Sequence, residues 1–501
     1  MSKLSWNTCT NWGHDDGSSV VMNGQRVAVI GGGITGLACA HRLISIDPDV
    51  QVTIFEGSDR LGGIIQTVQQ DGFLIELGPD SFITNKPGGV QLCDEIGFSD
   101  QLIATDETYR RSLVLRKGRP LPVPDGFMLM APANPVAIMT TPILSAKGKL
   151  RLLQEAITAA KTTDEDESLA SFVRRRFGTE ALERLVQPLV GGIYTADPEK
   201  LSLKATLPRF LDMERQHGSV IRATLAGQKT KSDDQNSRAK AAASGSGARY
   251  GLFTTPADGL SSLVTAVEQK LLASNRVTIN TERAVVSMHR IDNRWRLQPD
   301  GAASCDFDGV AMTLPCHKAA ALLDDSATEL ATTLREYEYA SSAIVVSGHR
   351  IADFTHPLDA FGLVIPAIEN RKILAVSFTS RKFPGRAPEG QVLLRTFVGG
   401  AMQPELLQLT DDEIMSIVQQ ELTSILGLKS APAFQQIIRY NNSMPQYHVG
   451  HLDLVGRTET LVGDVPGLEL AGSAYHGVGI PDSIASGRRA AECLLASQKS
   501  T

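Results

Sequence analysis

Gly31, Gly33 and Gly36 stand at G-x-G-x-x-G spacing directly after the apolar run at residues 27–30, and here residue types and spacing first specify chemistry. Such a loop presents bare backbone to a pyrophosphate. Gly31 permits the tight turn, Gly33 leaves room for the phosphates, and Gly36 lets the following helix pack closely on the strand, with its N-terminal N–H groups facing the anion. Leu37, Ala40 and Leu43 or Ile44 then recur at helical spacing. A second strand-like run, Val52-Thr53-Ile54-Phe55, ends in Glu56. That carboxylate lies about 20 residues past the last glycine, where it can accept hydrogen bonds from ribose hydroxyls. Its charge disfavours a 2′-phosphate, so NADP is not expected.

Elsewhere the reactive side chains are dispersed. No Ser, His or Cys constellation marks a nucleophile, and no general acid or base is identified. His448 and His451 form an H-x-x-H without carboxylate or cysteine neighbours, so no metal is expected. The six cysteines, Cys9, Cys39, Cys93, Cys305, Cys316 and Cys493, include no C-x-x-C, which argues for bland thiols in a reducing compartment.

The elements that must position the glycine loop come from both ends of the chain. Residues 277–279, 284–288 and 295–297 read as strands of a β-meander. A strand at 308–314 ends at Pro315 and is followed by a helix with Ala319, Leu322 and Leu323. Near the C-terminus, residues 468–472 read as a strand, Gly477 and Gly479 open a turn, and 480–496 reads as a helix whose N-terminus would stabilise an anion.

At 501 residues the chain calls for two or three domains, and its hydrophobic content of 42% is that of a soluble globular protein. A net charge of −6 with mixed signs gives no footprint for nucleic acid. No run of about 18 apolar residues spans a membrane. Residues 1–22 read as a loose extension, not a signal peptide, which places the protein in the cytoplasm. Residues 228–248, polar and rich in small residues, read as a disordered loop. The segment 127–159 is rich in Met, Leu and Ile around Lys147, Lys149 and Arg151; it is either a plain helical core or an interfacial patch peripheral to the inner membrane face.

Arg60-Leu61-Gly62-Gly63 resembles the second diphosphate contact of glutathione-reductase-like flavoproteins, a superfamily that includes the amine oxidases, and this implies FAD. The usual following arginine is replaced by Ile64-Ile65. Further stretches carry a closer resemblance: GPDSFI at 78–83, RKGRPLPVP at 116–124, QPLVGGIYTADP at 187–198 with LSLK at 201–204, FPGRAP at 383–388 and AGSAYHGVGIPD at 471–482. Together they are similar to the oxygen-dependent protoporphyrinogen oxidases and their sister group, the coproporphyrinogen III oxidases.

The resemblance implies an α/β architecture: a glutathione-reductase-like FAD-binding domain, an antiparallel-sheet substrate domain and a helical insertion. The FAD unit would be assembled from residues 24–90, 250–315 and 446–496. The helical, membrane-facing insertion would span 91–210 and line part of the substrate pocket, and the substrate domain would span 316–445. Gly31, Gly33, Gly36, Glu56, Arg60 and Gly63 would hold the ADP half, Val285 the adenine, Gly78 and Ser81 the ribityl chain or isoalloxazine, with Gly472, Val478 and Gly479 closing over the flavin. Gly192 would lie beside the tetrapyrrole, Phe383 would stack on a pyrrole, and Leu363 or Val364 would press on another side. Arg110 or Arg111 would bind a propionate, and His476 would reach a propionate or the flavin edge.

The implied reaction is six-electron oxidation of protoporphyrinogen IX to protoporphyrin IX, with dioxygen reduced to hydrogen peroxide. Coproporphyrinogen III oxidation is the alternative; another amine oxidase-like oxidase or desaturase and a non-catalytic flavin module are remoter ones. A homodimer and hand-off to a ferrochelatase are further partners that the resemblance leaves open.

Overall fold

The computed structural model describes residues 24–233 and 253–498. Strand Arg26–Ile30 lies at the centre of a five-stranded parallel sheet. Gln51–Phe55 and then Val277–Asn280 flank it on one side, Gly309–Met312 and then Leu468–Leu470 on the other. Alternation along the central strand explains why both faces are covered. Val27 and Val29 pack with Leu37, Leu43, Leu263 and Ile484 of helices Ile34–Ile46, Leu260–Leu272 and Ile480–Gln498. Ala28 and Ile30 face Trp295, Leu297 and Phe307 on the opposite side.

Those last residues belong to an antiparallel meander of Val285–Ile291, Arg294–Pro299 and Cys305–Phe307. Val277–Asn280 is not part of it, contrary to the sequence reading, but pairs in parallel with Gln51–Phe55. A short Val-Thr-Ile run has the same alternation in either setting, so periodicity could not distinguish them.

A seven-stranded sheet forms the second layer, in the order Phe434–Pro445, Tyr339–Arg350, Gln391–Gly399, Ala375–Phe378, Gly362–Val364, Ser112–Arg116, Arg119–Pro122. Every pairing is antiparallel except Gly362–Val364 with Ser112–Arg116. One face buries Leu113, Leu363, Phe378 and Leu394 against Ile414, Val418 and Leu422 of helix Asp411–Leu426. The other face meets the nucleotide unit where Ile344, Val346 and Leu393 pack on Phe73 and Ile75.

Within residues 91–210 the chain thus contributes a hairpin to this sheet before it becomes helical. The helices continue past 210 through Pro208–His217 and Val220–Asp233. Gln228 to Asp233, read as the start of a disordered loop, extend that last helix; 234–248, and the extension at 1–22, lie outside the described residues. Arg176 is completely buried among these helices and donates to the Glu155 carboxylate and, at 3.0 and 3.1 Å, to the carbonyls of Thr158 and Ala159. The Glu155 carboxylate in turn accepts from Ser219 Oγ and the Val220 and Ile221 N–H groups at 2.6–3.1 Å, fixing the start of helix Val220–Asp233.

Candidate cofactor and substrate site

The three motif glycines are bare for different reasons. Gly31 has φ +111°, and a Cβ there would lie 2.7 Å from Thr313 Oγ1; one on Gly36 would strike the Gly31 carbonyl. A Cβ on Gly33 meets nothing within 4 Å, so that glycine keeps open a space in front of helix Ile34–Ile46, whose first turn carries no acid. Gly63 closes the other side, where an added Cβ would come 3.4 Å from Gly33 Cα, and Gly62 N–H donates to Gly32 O at 2.9 Å. Two glycine segments therefore leave a cleft at the positive end of a helix dipole, which fits a diphosphate.

Arg60 braces the second segment by donating to the carbonyls of Leu61, Gly63 and Ile65 at 3.1, 2.6 and 2.9 Å. Glu56 accepts from Gly32 N–H at 2.7 Å and from Ser58 N–H and Oγ at 2.8 Å, which orients its carboxylate at the rim of the cleft. Arg283 N–H donates to Glu56 O at 2.9 Å and brings the strand beginning at Val285 alongside.

From the C-terminal part, Gly472 has φ +149° and open space where a Cβ would stand, and its N–H donates to Ser486 Oγ at 3.0 Å. The Tyr447 hydroxyl pins the following loop, donating to Ser473 O and accepting from Gly477 N–H, both at 2.7 Å. Val478 packs toward the helical core, and Gly479 O accepts from Ser483 N–H at 2.9 Å as helix Ile480–Gln498 begins. The first turn of that helix is not a bare positive end: it carries Asp482, paired with Lys86 at 2.7 Å.

His476, within this loop, turns its imidazole to Glu459 and Arg489. Its Nε2 lies 2.9 Å from Glu459 Oε1 and 3.0 Å from Arg489, on the wall of an outer pocket shared with Glu469 and Cys493. The expected contact with substrate or flavin is therefore corrected; an HG pair in a loop does not reveal which side the imidazole takes. His451 stacks on Tyr447 at 3.8 Å, and His448 lies 3.5 Å from Glu338.

The sheet face turned toward the helical module carries the other candidates. Val364, Ala375 and Phe397 are direct cross-strand partners and share that face. Gly192, in helix Gln187–Tyr194, is exposed, and a Cβ on it would come 4.0 Å from Val364 Cγ1. Leu363 points the opposite way into the core and is excluded as a pocket residue by the period of the strand.

Phe383 is also corrected. Its ring is fully buried, with Lys382 Nζ 5.2 Å and Arg386 Cζ 5.9 Å from its centroid, and presents no free face. Phe397, half-buried on the face shared with Val364 and Ala375, is an aromatic that the sequence reading did not single out.

Between the two layers lies a buried charge cluster. Asp80 accepts from Lys382 Nζ at 2.8 Å and lies 3.5 Å from Arg395, which also donates to Gly78 O. Ser81 Oγ bonds Asp80 at 2.7 Å and Lys382 at 2.9 Å. Burial by itself would raise the Asp80 pKa, but the Lys382 and Arg395 charges hold the carboxyl well below its ordinary range. Arg395 Nε is buried without a hydrogen-bond partner among the described residues. A single arginine in the apolar run VLLRTFV was the available signal, since a buried arginine needs a partner or a ligand.

Arg110 and Arg111 precede the strand instead of lying on it. Arg111 is engaged with the Asp359 side chain and donates to its carbonyl at 2.7 Å. Arg110 reaches Thr105 O at 3.3 Å and Glu107 at 3.4 Å, with its Nε buried and unpaired. Beside it, Arg381 lies over Tyr109 at 4.7 Å, and its Nε is likewise unpaired.

Residues 34–495 match the family of flavin containing amine oxidoreductases. The chain is 35% identical to a coproporphyrinogen III oxidase of Staphylococcus aureus, covering 94% of this chain and 99% of that protein. It is 28% identical to protoporphyrinogen oxidase 2, chloroplastic/mitochondrial, of Arabidopsis thaliana, over 95% of this chain and 94% of the other. A crystal structure from Exiguobacterium sp. 255-15, which carries a provisional assignment as a protoporphyrinogen oxidase, superposes with a TM-score of 0.81 at 29% identity, covering 95% and 99% of the two chains. The glycine cleft, the acid at its rim and these likenesses lead to one conclusion: the chain is an FAD-dependent oxidoreductase and belongs to the flavin-containing amine oxidoreductases, among the protoporphyrinogen and coproporphyrinogen III oxidases.

Proposed function

We propose that this enzyme oxidises coproporphyrinogen III to coproporphyrin III. The observation that carries this reading is an excess of cations beside an apolar sheet face: Arg395 lies 5.6 Å from the ring of Phe397, which shares its face with Val364, Arg395 and Lys382 share the single carboxylate of Asp80, and Arg110 and Arg381 each keep a buried Nε without a hydrogen-bond partner among the described residues. Coproporphyrinogen III carries four propionates and protoporphyrinogen IX two, so more cations favour the former. The 35% identity to a relative of that name supports the choice. Protoporphyrinogen IX is the second reading, favoured by the names of the plant relative and of the Exiguobacterium structure.

In this proposal Gly31, Gly33, Gly36 and Gly63 hold the pyrophosphate, Glu56 the ribose and Val285 the adenine, while Arg60 braces the second glycine loop. Gly78 and Ser81 flank the ring system, and Gly472, Val478 and Gly479 close over it. Gly192, Val364 and Phe397 orient the macrocycle, and Arg110 binds a propionate. Bound FAD supplies a two-electron acceptor that dioxygen regenerates; three turnovers remove six hydrogens and yield three hydrogen peroxide molecules.

The test is to supply each porphyrinogen anaerobically prepared, add oxygen, and follow porphyrin fluorescence and peroxide. Faster turnover of coproporphyrinogen III supports the proposal; faster turnover of protoporphyrinogen IX selects the second reading, and turnover of neither rejects both.

We further propose a cytoplasmic protein in peripheral contact with the membrane. No helix among the described residues is long and apolar enough to cross a membrane. Val136, Met139, Leu150 and Ile157 are nevertheless 52–79% exposed within the segment read as an interfacial patch, and Lys147 beside them is exposed. Membrane fractions containing none of the protein before any carbonate wash would reject this contact.

A further inference from the structure

The outer edge of the seven-stranded sheet is the hairpin of Ser112–Arg116 and Arg119–Pro122. Against it, Pro142, Leu144 and Ser145, which lead into helix Ala146–Leu153, and Arg184 of the π-helical turn Leu182–Val186 complete an open cleft of about 600 Å³. Four cations line it, Arg116, Lys117, Arg119 and Arg184, with Leu121 and Leu144 supplying apolar surface.

Two carboxylates approach this set, and both are engaged with backbone. Glu369 lies 3.6 Å from Arg116 and accepts from the N–H groups of Lys117 and Gly118 at 2.8 and 3.0 Å. Glu180 lies 2.7 Å from Arg184 and accepts from Ser145 N–H at 2.9 Å. No ion pair among the described residues involves Lys117 or Arg119. Four cations against two carboxylates leave a surplus of two positive charges in one concave site. Arg184 Nε is buried at its wall without a hydrogen-bond partner among the described residues.

The position of Arg184 is itself unusual. The π turn interrupts an otherwise continuous helical run from Thr179–Ala181 to Gln187–Tyr194. An extra residue in one turn costs regular helix hydrogen bonding and is frequent at functional sites. Here it aims a guanidinium into the cleft, while the next turns carry Gly192 to the candidate pocket.

We propose that this cleft is a binding site for a phosphate group, separate from the flavin and porphyrinogen sites. A surplus of two charges matches a phosphate dianion, arginine forks pair with two oxygens at a time, and the leucine surface accommodates the organic part of an ester. The phosphate could belong to a soluble compound or to an anionic lipid headgroup. The segment between the helices carrying Met139 and Leu150 contributes Pro142 and Leu144 to the cleft, so a headgroup is within reach of the exposed apolar side chains.

The test uses the flavin-loaded enzyme with two probes. Inorganic phosphate is titrated calorimetrically against chloride at equal ionic strength, and vesicles of phosphatidylglycerol in phosphatidylcholine are compared with pure phosphatidylcholine in co-sedimentation. The Lys117→Asn/Arg119→Ala variant keeps a residue that tolerates φ +52° at the turn. It should bind the effective probe at least about tenfold more weakly, with flavin content and melting temperature unchanged. If it loses flavin, Arg119→Gln alone replaces it. Phosphate binding that the variant weakens supports a soluble ligand, and vesicle binding alone that it weakens supports a lipid. Wild-type enzyme that binds neither probe, or variants that bind as well as wild type, overturn the proposal.

Discussion

Gly192 and Val364 face each other across the seam between the helical module and the seven-stranded sheet, close enough that a Cβ on the glycine would come 4.0 Å from Val364 Cγ1. The missing side chain therefore leaves room for little more than a methyl group beside an apolar wall, and the edge of a porphyrinogen can use it. Replacing Gly192 with leucine fills the gap from an exposed helix position. The expected result is a rise in KM for the porphyrinogen of about tenfold or more, with full flavin content, because the glycine cleft is untouched. Steady-state kinetics with unchanged KM and kcat would remove Gly192 from the pocket.

Phe383 and Phe397 separate a core role from a pocket role. The first is fully buried beside Arg386, which anchors the FPGR turn by donating to the carbonyls of Pro256 and Ala257 at 2.7 and 2.6 Å. Phe383→Ala should therefore destabilise the protein by about 3–5 kcal/mol. Phe397→Ala, at a half-buried position, should cost less stability and raise KM. Chemical denaturation and kinetics on both variants decide it; a stable Phe383→Ala enzyme with impaired KM would return the stacking role to that residue.

Much of this was legible in the chain. Gly31, Gly33, Gly36 and Glu56 lie within 26 residues of local sequence, and the backbone demands of the glycines are visible as residue type. The candidate pocket was harder because it is made by pairing. Val364 and Leu363 differ only in strand phase, and nothing local says which phase faces the helices. Phe397 joins Val364 through Ala375, a relation set by register between three strands. The direction of His476 was not legible because a loop leaves it undetermined, and Arg395 was not singled out because its partner, Gly78 O, is 317 residues away.

Asp80 balances Lys382 and Arg395 where the two layers meet. Asp80→Asn leaves two buried cations without their carboxylate and should cost about 3–5 kcal/mol. The sign of its pH dependence follows from a folded-state pKa held below the ordinary value of 3.8 by Lys382 and Arg395 against the opposing effect of burial. Stability from such a group is complete above the unfolded value and is lost as pH falls toward the folded one. The difference between wild type and variant should thus be flat above about pH 5 and shrink only in stronger acid. A difference that grows on acidification would contradict the ion-pair account.

Glu469 carries the opposite sign. It sits on strand Leu468–Leu470 in the pocket with Glu459, His476, Arg489 and Cys493, and burial pushes its carboxyl from 4.5 up to about 7, with Glu459 adding to the shift and Arg489 opposing it. Between those values the folded protein binds a proton that the unfolded chain releases, so this residue makes stability fall as pH rises from about 4.5 to 7. Glu469→Gln removes that slope. With allowance for solvent screening of a group that is only partly buried, the variant should gain about 1–2 kcal/mol over wild type at pH 8 and nothing at pH 4.5. Melting curves of the two proteins across this range provide the measurement. Parallel pH profiles would show that Glu469 is ionised throughout, held so by the nearby charge of Arg489, and that the pocket is wetter than its lining implies.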